Sequence, residues 1–480
     1  MNDRKGFGSN FGFLMAAVGS AVGLGNIWGF PNKMGANGGF PFLILYLALA
    51  LCCGVIIMLG ELALGRKTGH GAVGAYQSIS KRFKWLGWLG IAAAALIFSF
   101  YSALGGYCLR YVVVNFGNLI GAEFGTNGVG GSDVFQTLLS QPGVSIAFAL
   151  AFMLITMLVV MGGVGGGIER VCSVGMPALF FILIICIIRA CTLPGAADGL
   201  KYMFVPGWSV ANGIIDEAPG FWKVLTAAGG QMFFSLSLGA GVMITYGSYL
   251  DKKQDLGKSA MIIVGMDTVV ALMAGLCVIP GRFALDPSGD LGGPELLFIT
   301  MQNVFDKMGP AGPVFGILFY LLVFFAAISS SISMLEVIVA HFCDKAREKG
   351  KGDRRKLYSA IVVVICAALC ALVCADGMGS NHISPAELLG LAGAKLPGWS
   401  TSWLGLFDSV AEGLLMPLGA LLMCLMISWE LKPDALRQEI LLNGENRPWV
   451  YDFFRLCVKY ITPLCMLMIL YGQISDFFIV

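Results

Sequence analysis

Long apolar runs separated by short polar connections dominate the chain. A helix needs about 20 mostly apolar residues to cross the hydrocarbon core of a bilayer, and windows of this kind recur throughout the sequence. The pattern predicts eleven membrane-spanning helices, near residues 11–31, 39–64, 86–118, 145–161, 173–191, 222–249, 259–280, 312–342, 357–375, 403–429 and 452–477. We therefore expect an all-α polytopic membrane protein with a single transmembrane domain over 1–480.

Composition supports a membrane protein and excludes several other classes. Apolar residues make up 57% of the chain and charged residues only 12%, whereas soluble domains contain about 25% charged residues. The net charge of +2 is not concentrated in a basic face, which argues against a nucleic-acid partner. The three histidines lie far apart and no C-x-x-C pair has histidine partners at zinc-site spacing, so a metalloenzyme or a Ser-His-Asp enzyme is not expected. The protein is expected to lie in the lipid bilayer.

The positions of the basic residues predict the topology. Cytoplasmic loops of membrane proteins are enriched in Lys and Arg, and most of the 31 basic residues fall on one side when the eleven spans alternate. This bias places the N-terminus in the cytoplasm and the C-terminus outside. We expect a multi-pass protein of the cell membrane.

Two predicted helices have glycine-rich centres. Residues 19–26 read Gly-Ser-Ala-Val-Gly-Leu-Gly-Asn, and residues 235–241 read Ser-Leu-Ser-Leu-Gly-Ala-Gly. Each glycine costs a helix about 1 kcal/mol relative to alanine, although one such run alone is more typical of close helix packing. The two runs open successive sets of five helices, and interrupted helices at matching places are typical of a midplane binding site in a secondary transporter.

Polar residues are also predicted at membrane depth, near the two breaks. Asp267 stands in the middle of the seventh predicted helix, where a carboxylate is costly and is usually functional. It can be a cation ligand, a proton site or a packing hydrogen bond. Ser329 and Ser330 offer hydroxyl oxygens suited to a hard cation such as Na⁺, but serines in membrane helices often bond to their own i−4 carbonyl.

Several motifs resemble those of one transporter family over essentially the whole chain. They are Gly-Ser-Ala-Val-Gly-Leu-Gly-Asn-Ile-Trp-Gly-Phe-Pro at 19–31, Asn-Gly-Gly at 37–39, Gly-Glu-Leu-Ala-Leu-Gly-Arg at 60–66, Gly-Ile-Glu-Arg at 167–170, Gln-Met-Phe-Phe-Ser-Leu-Ser-Leu-Gly at 231–239, and Arg455 followed by Tyr-Ile-Thr-Pro at 460–463. On these motifs the chain resembles the neurotransmitter:sodium symporters, in their bacterial amino-acid transporter branch. The resemblance implies a LeuT-type fold with a five-plus-five inverted repeat, here about 11–191 and 222–429, and an extra helix at about 452–477.

Carried over position by position, the resemblance implies two sodium sites, a substrate site and two gates. The first sodium site consists of Ala21, Asn26, Ser235 and Asp267. The second consists of Gly19, Val22, Ala326, Ser329 and Ser330. The substrate site consists of Ala21, Leu24, Gly25, Ile97, Tyr101, Phe234, Ser237, Ala240, Ser330 and Met334. The gates consist of Arg4 with Asp344 and Tyr249 on the inner side, and Asp408 on the outer side.

Departures from the family pattern bear on the substrate. The monoamine carriers have an aspartate where this chain has Gly23, so the substrate is expected to bring its own carboxylate. Ala240 and the flexible Met334 leave room for a large apolar or aromatic side chain. We therefore expect a sodium-coupled amino-acid symporter that works by alternating access. The alternative is a proton-coupled amino-acid permease of the same architecture, with Asp267 as the proton carrier.

Two further departures concern the outer gate and chloride. The outer-gate arginine expected after Trp28 is Gly29, so Asp408 needs another cation. Lys33, one helical turn later, can supply it or can simply extend to the membrane interface. The anion site of chloride-dependent relatives matches Tyr46, Gln231, Ser235, Asp267 and Ala271. Since a carboxylate here replaces the usual asparagine and an alanine replaces the usual serine, we expect two sodium ions and no chloride requirement.

Overall fold

The computed structural model describes residues 6–126, 128–286, 295–352, 354–390, 398–431, 435–442 and 448–478. These residues form helices joined by turns, without a strand. The helices, numbered in chain order, are α1 (Asn10–Ala21), α2 (Gly25–Ala36), α3 (Phe40–Thr68), α4 (Ala72–Ile79), α5 (Leu86–Ile120), α6 (Gly131–Leu139), α7 (Pro142–Met161), α8 (Val164–Cys191), α9 (Ala196–Phe204), α10 (Trp208–Ala211), α11 (Phe221–Ser235), α12 (Val242–Gly247), α13 (Leu256–Leu285), α14 (296–307), α15 (Gly309–Glu348), α16 (Arg355–Asp376), α17 (Pro385–Leu388), α18 (Trp403–Glu430), α19 (Arg437–Ile440) and α20 (Pro448–Ser475). The all-α membrane architecture predicted from the sequence is confirmed.

Each predicted span has a helical counterpart, but the number of membrane crossings stays a prediction. Among the described residues, nine helices are long and apolar enough to cross a bilayer, and α1 with α2 makes a tenth as a bent pair. The sixth predicted span, 222–249, is divided between α11 and α12, and each piece is too short to cross alone. The fifth starts earlier than predicted, at Val164, because a π-helical turn precedes its α-helical part.

Both glycine-rich centres interrupt their helices. Between α1 and α2 the helix opens at residues 22–24, and the two halves are bent by 46°. Between α11 and α12, residues 236–241 form turns in which Gly239 and Gly241 adopt positive φ angles of 80° and 73°. Ser237 also lies in the left-handed region, with φ of 53°. That conformation is uncommon for a residue with a Cβ, so the surrounding packing must hold the break open.

The broken helices lie inside the bundle. The half-helix α1 packs against α8, α13 and α15, and α11 packs against α3 and α20. Among the described helices, α5 and α15 make the most extensive contact, and they run along each other beside the breaks. At the periphery, α8 exposes Val174, Phe181 and Ile188 at seven-residue spacing, an apolar stripe that faces lipid in a membrane. Polar groups of the breaks are thus screened from lipid by the surrounding helices.

Candidate functional site

The two helix breaks contact each other directly. The Ser237 hydroxyl donates a hydrogen bond of 3.1 Å to the Ser20 carbonyl, which α1 leaves free where it ends. The Gln231 side-chain amide donates to the Gly25 carbonyl at 2.6 Å. Gly25 also allows this approach, since a Cβ there would lie 3.1 Å from the Phe234 ring. Groups 200 or more residues apart in sequence therefore converge at one point in the bundle interior.

Three of the four residues predicted for the first sodium site form one hydrogen-bonded cluster. Asp267 is fully buried, and Asn26 donates to its carboxylate at 2.7 Å and to its carbonyl at 3.0 Å. The Ser235 hydroxyl lies 3.1 and 3.0 Å from the two carboxylate oxygens. Tyr46 donates from a third helix at 3.3 Å. A carboxylate held by neutral donors keeps its negative charge uncompensated, which is the electrostatic condition for attracting a cation.

The remaining features of this cluster concern its backbone. The fourth predicted member, Ala21, is the buried last residue of α1. The amide oxygen of Asn26 accepts a 2.9 Å hydrogen bond from the Gly23 backbone, and that bond closes the opened turn. Asn26 thus links the break in α1 and α2 to the carboxylate of Asp267 on α13.

The residues predicted for the second sodium site form a cage of oxygen atoms. The Ser330 hydroxyl lies 3.4 Å from the carbonyl oxygens of both Gly19 and Val22. The Ser329 hydroxyl lies 3.4 Å from the Val22 carbonyl and 3.0 Å from that of Ala326. All five predicted residues meet here, between the end of α1 and the middle of α15. These are neutral oxygen donors, the kind that a hard monovalent cation accepts in place of water.

Most of the predicted substrate residues lie next to the two clusters. Tyr101 of α5 accepts a 2.6 Å hydrogen bond from the Leu24 backbone, and its ring lies 6.3 Å from that of Phe234. Ile97 and Met334 lie one turn from Tyr101 and from Ser330, respectively, and are buried on the facing helices α5 and α15. Ala240 lies nearer the start of α5, where its backbone packs on Gly90. The buried members are Ala21, Leu24, Gly25, Ile97, Tyr101, Phe234, Ser237, Ala240, Ser330 and Met334.

Gly23 explains why no carboxylate occurs in this part of the site. A Cβ at this position would overlap the Ser330 and Tyr101 hydroxyl oxygens. An aspartate would therefore displace a residue of the second cation cage and a residue of the substrate site. The negative charge that a charged amine would require is excluded by packing as well as by sequence.

Where the inner gate is predicted, the structure contains a buried carboxylate that the sequence did not indicate. Glu336 of α15 is fully buried and forms an ion pair with Arg355 at the start of α16, with one contact of 3.1 Å. The Tyr249 hydroxyl donates to Glu336 at 2.7 Å. Asp344, two turns later, accepts from the Gly71 backbone at 3.2 Å. Arg4, its predicted partner, lies outside the described residues.

Where the outer gate is predicted, Lys33 pairs with a different carboxylate from the one expected. Its ammonium contacts Glu412 of α18, whose side chain is 4% exposed, while that of Lys33 is 23% exposed. Asp408 precedes Glu412 by one turn and is partly buried. A cation therefore lies one turn after Gly29, where it contacts Glu412 and also interacts electrostatically with Asp408. A π-helical stretch at Ser409–Leu415 sets how the two carboxylates face α2, and no sequence pattern reveals it.

Another residue missed by sequence reasoning supports the break between α11 and α12. Glu61 of α3 is 1% exposed and accepts a 2.7 Å hydrogen bond from the Gly239 backbone. This bond satisfies a donor that the interrupted helix leaves free. Glu61 belongs to the family motif at residues 60–66, but the motif alone did not indicate what its carboxylate does.

Comparisons with known proteins agree over nearly the full length. The sequence matches the family model described as "Sodium:neurotransmitter symporter family" over residues 4–127 and 133–478. It is 36% identical to the uncharacterized sodium-dependent transporter YhdH of Bacillus subtilis over 97% of both chains. It is 29% identical to an uncharacterized sodium-dependent transporter of Methanocaldococcus jannaschii, over 91% of this chain and 84% of that protein. The structure is similar to the crystal structure of MhsT in complex with L-phenylalanine, with a TM-score of 0.83 and 34% identity over 98% of this chain and 100% of that chain.

Proposed function

Because the chain belongs to the sodium:neurotransmitter symporter family, we propose that it imports an amino acid with a large apolar or aromatic side chain by alternating access. Sodium-coupled transport across a membrane is the activity of this family, and the chain is a transporter and not an enzyme. The amino-acid class, two sodium ions, the inward direction and independence of chloride are the content of the proposal.

The convergence of oxygen atoms at the break after α1 carries the proposal. Carbonyls of Gly19 and Val22 and the hydroxyls of Ser329 and Ser330 lie within 3.4 Å of one another in pairs. A proton carrier needs no such neutral cage, so the arrangement favours Na⁺ over the proton-coupled alternative. The carboxylate of Asp267 supplies a second, charged position for a sodium ion.

The chemistry around Gly23 supports an amino acid over an amine. An amine substrate needs a carboxylate from the protein, and packing around Gly23 leaves no room for one. An amino acid brings its own carboxylate, and the positive end of the α2 helix dipole favours an anion there. The related MhsT was crystallised with L-phenylalanine, which supports a large apolar side chain beside Tyr101, Phe234 and Met334.

Chloride independence follows from the charge already present at Asp267. Tyr46 and Ser235, which would contact an anion in chloride-dependent relatives, donate to this carboxylate instead. Two like unit charges about 4 Å apart repel by about 4 kcal/mol at an effective dielectric constant of about 20. Ala271 is buried and has no hydroxyl to offer an anion. The carboxylate therefore supplies the negative charge that chloride would otherwise provide.

The gates give the proposed transport route. Lys33 with Glu412, next to Asp408, closes the side that we assign to the exterior, and Glu336 with Arg355 and Tyr249 closes the cytoplasmic side with Asp344 and Arg4. The first ion pair joins α2 to α18, and the Tyr249 hydroxyl joins the segment after α12 to Glu336 on α15. Alternating access requires that one of these links open while the other is closed.

Uptake by reconstituted protein tests the proposal. Proteoliposomes with an inward Na⁺ gradient should accumulate labelled L-phenylalanine or L-leucine, and accumulation should stop when choline replaces Na⁺. The double variant Ser329→Ala/Ser330→Ala should lower the apparent Na⁺ affinity at least tenfold. Ser331→Ala is the matched control, because this neighbouring hydroxyl pairs with Thr156, away from the break.

Two results would contradict the proposal. Equal uptake with choline and a proton gradient would favour the proton-coupled permease. Uptake of a small or charged amino acid in preference to the large apolar ones would refute the substrate class while leaving sodium coupling intact.

A further inference from the structure

Arg110 is a basic residue of the bundle whose charge has no carboxylate partner among the described residues. It lies on α5 and is partly buried. Arg355 and Lys33 each reach a carboxylate, whereas Arg110 has neither an ion pair nor a hydrogen bond within the part of the chain that the structure describes. An unpaired guanidinium near lipid is costly, so a ligand for it is expected.

The depth of Arg110 corresponds to a membrane interface. Trp88, near the start of α5, is 44% exposed and is typical of the aromatic belt at one membrane surface. Arg110 follows 22 residues later, about 33 Å along the helix axis. The hydrocarbon core is about 30 Å thick, which puts the guanidinium at the level of the opposite headgroups, on the predicted exterior.

A small cavity opens beside this guanidinium. Its volume is about 210 Å³, and it lies between α5, α6 and the start of α7. The polar lining consists of Arg110 with the neutral side chains of Tyr111, Thr126, Thr137 and Gln141, and valines, a leucine and Gly125 form the rest of the wall. No carboxylate lines the cavity among the described residues, so a bound anion would meet no repelling charge there.

We propose that this cavity binds the phosphate of a membrane phospholipid. A guanidinium donates two parallel hydrogen bonds to a phosphate, and the single positive charge of Arg110 matches the single negative charge of a phosphodiester. Thr137 and Gln141 are exposed at the rim and provide further donors. The apolar wall, with Val114, Val134 and Val144, contacts the beginning of an acyl chain. Free inorganic phosphate shares the anionic group but has nothing to place on this wall.

Lipid binding to the purified full-length protein tests the proposal. Delipidated protein in detergent is titrated with dioleoyl phosphatidylglycerol and, separately, with dioleoylglycerol, which has the same chains and no phosphate. We expect the phospholipid to bind at least tenfold more tightly and to raise the melting temperature. Arg110→Gln should abolish the difference between the two lipids, and Arg110→Lys should restore part of it.

Arg189 provides the matched control. It lies near the end of α8 and its guanidinium stands 6.0 Å from the Phe315 ring centroid, so it is an arginine in a membrane helix that already has a partner. Arg189→Gln should leave phospholipid binding unchanged. Equal binding of both lipids, or unchanged binding in Arg110→Gln, would overturn the proposal. Displacement of the lipid by millimolar inorganic phosphate would show a free-anion site and would overturn the assignment to a lipid.

Discussion

The ion pair between Lys33 and Glu412 should control the outer gate, and a double-mutant cycle can measure its strength. The variants are Lys33→Met, Glu412→Gln and the two combined. A second cycle pairs Lys33→Met with Asp408→Asn, because Asp408 is the carboxylate that sequence reasoning assigned to this gate. The comparison separates two acidic residues that lie one turn apart on α18.

Burial sets the expected magnitude. Opposite unit charges about 4 Å apart attract by about 4 kcal/mol at an effective dielectric constant of about 20. Glu412 is 4% exposed, but Lys33 is 23% exposed, so solvent screening reduces the net coupling to about half, roughly 2 kcal/mol. This corresponds to about a 30-fold change in rate.

The assay is the initial rate of sodium-driven amino-acid uptake into proteoliposomes at equal protein content. Each single variant of the contacting pair should lower the rate about 30-fold, and the double variant of Lys33 and Glu412 should be no slower than either. The coupling between Lys33→Met and Asp408→Asn should be present but smaller, because Asp408 interacts with Glu412 and lies within the field of the Lys33 charge without forming the ion pair itself. If Lys33 coupled more strongly to Asp408 than to Glu412, the reasoning from the structure would be refuted.

Three further predictions follow from the breaks and the inner gate. Gly23→Ala should reduce uptake at least 100-fold, because its methyl group would overlap two hydroxyls of the site. The control Gly265→Ala on α13, where nothing lies within 4 Å, should transport normally. Equal activities of the two variants would contradict the packing argument. Replacing chloride by gluconate should leave wild-type uptake unchanged, while Asp267→Asn combined with Ala271→Ser should make uptake chloride-dependent; a collapse of wild-type uptake in gluconate would refute chloride independence. Arg355→Gln removes the ion-pair partner of the buried Glu336 carboxylate and should destabilise the protein by about 3–5 kcal/mol. The loss is measured as a lower midpoint of unfolding in detergent. An unchanged midpoint would mean that the ion pair is not needed for stability.

The local chemistry of the sequence was sufficient to predict the architecture. Apolar runs long enough for a bilayer predict helices because no other open structure satisfies the backbone in lipid. Glycine clusters at 19–26 and 235–241 predict breaks because a helix in lipid tolerates lost hydrogen bonds only where other polar groups replace them. Asp267, Ser329 and Ser330 stood out because hydroxyls and a carboxylate are costly in these surroundings. Each of these signals depends on a residue and its immediate neighbours.

Tertiary structure alone decided which distant groups meet. The partner of Lys33 is Glu412 because a π-helical stretch of α18 and the packing of α2 set their relative positions, and neither has a sequence signature. The same holds for Tyr249, whose hydroxyl donates to Glu336. Nothing in the sequence of the helix that contains Glu336 indicated a role for this carboxylate. Sequence gives the period of a helix and hence the face of a residue, but the rotation and height of one helix against another come from the summed packing of many side chains. Ion pairs between helices therefore had to be read from the fold, while the residues able to form them were visible in the chain.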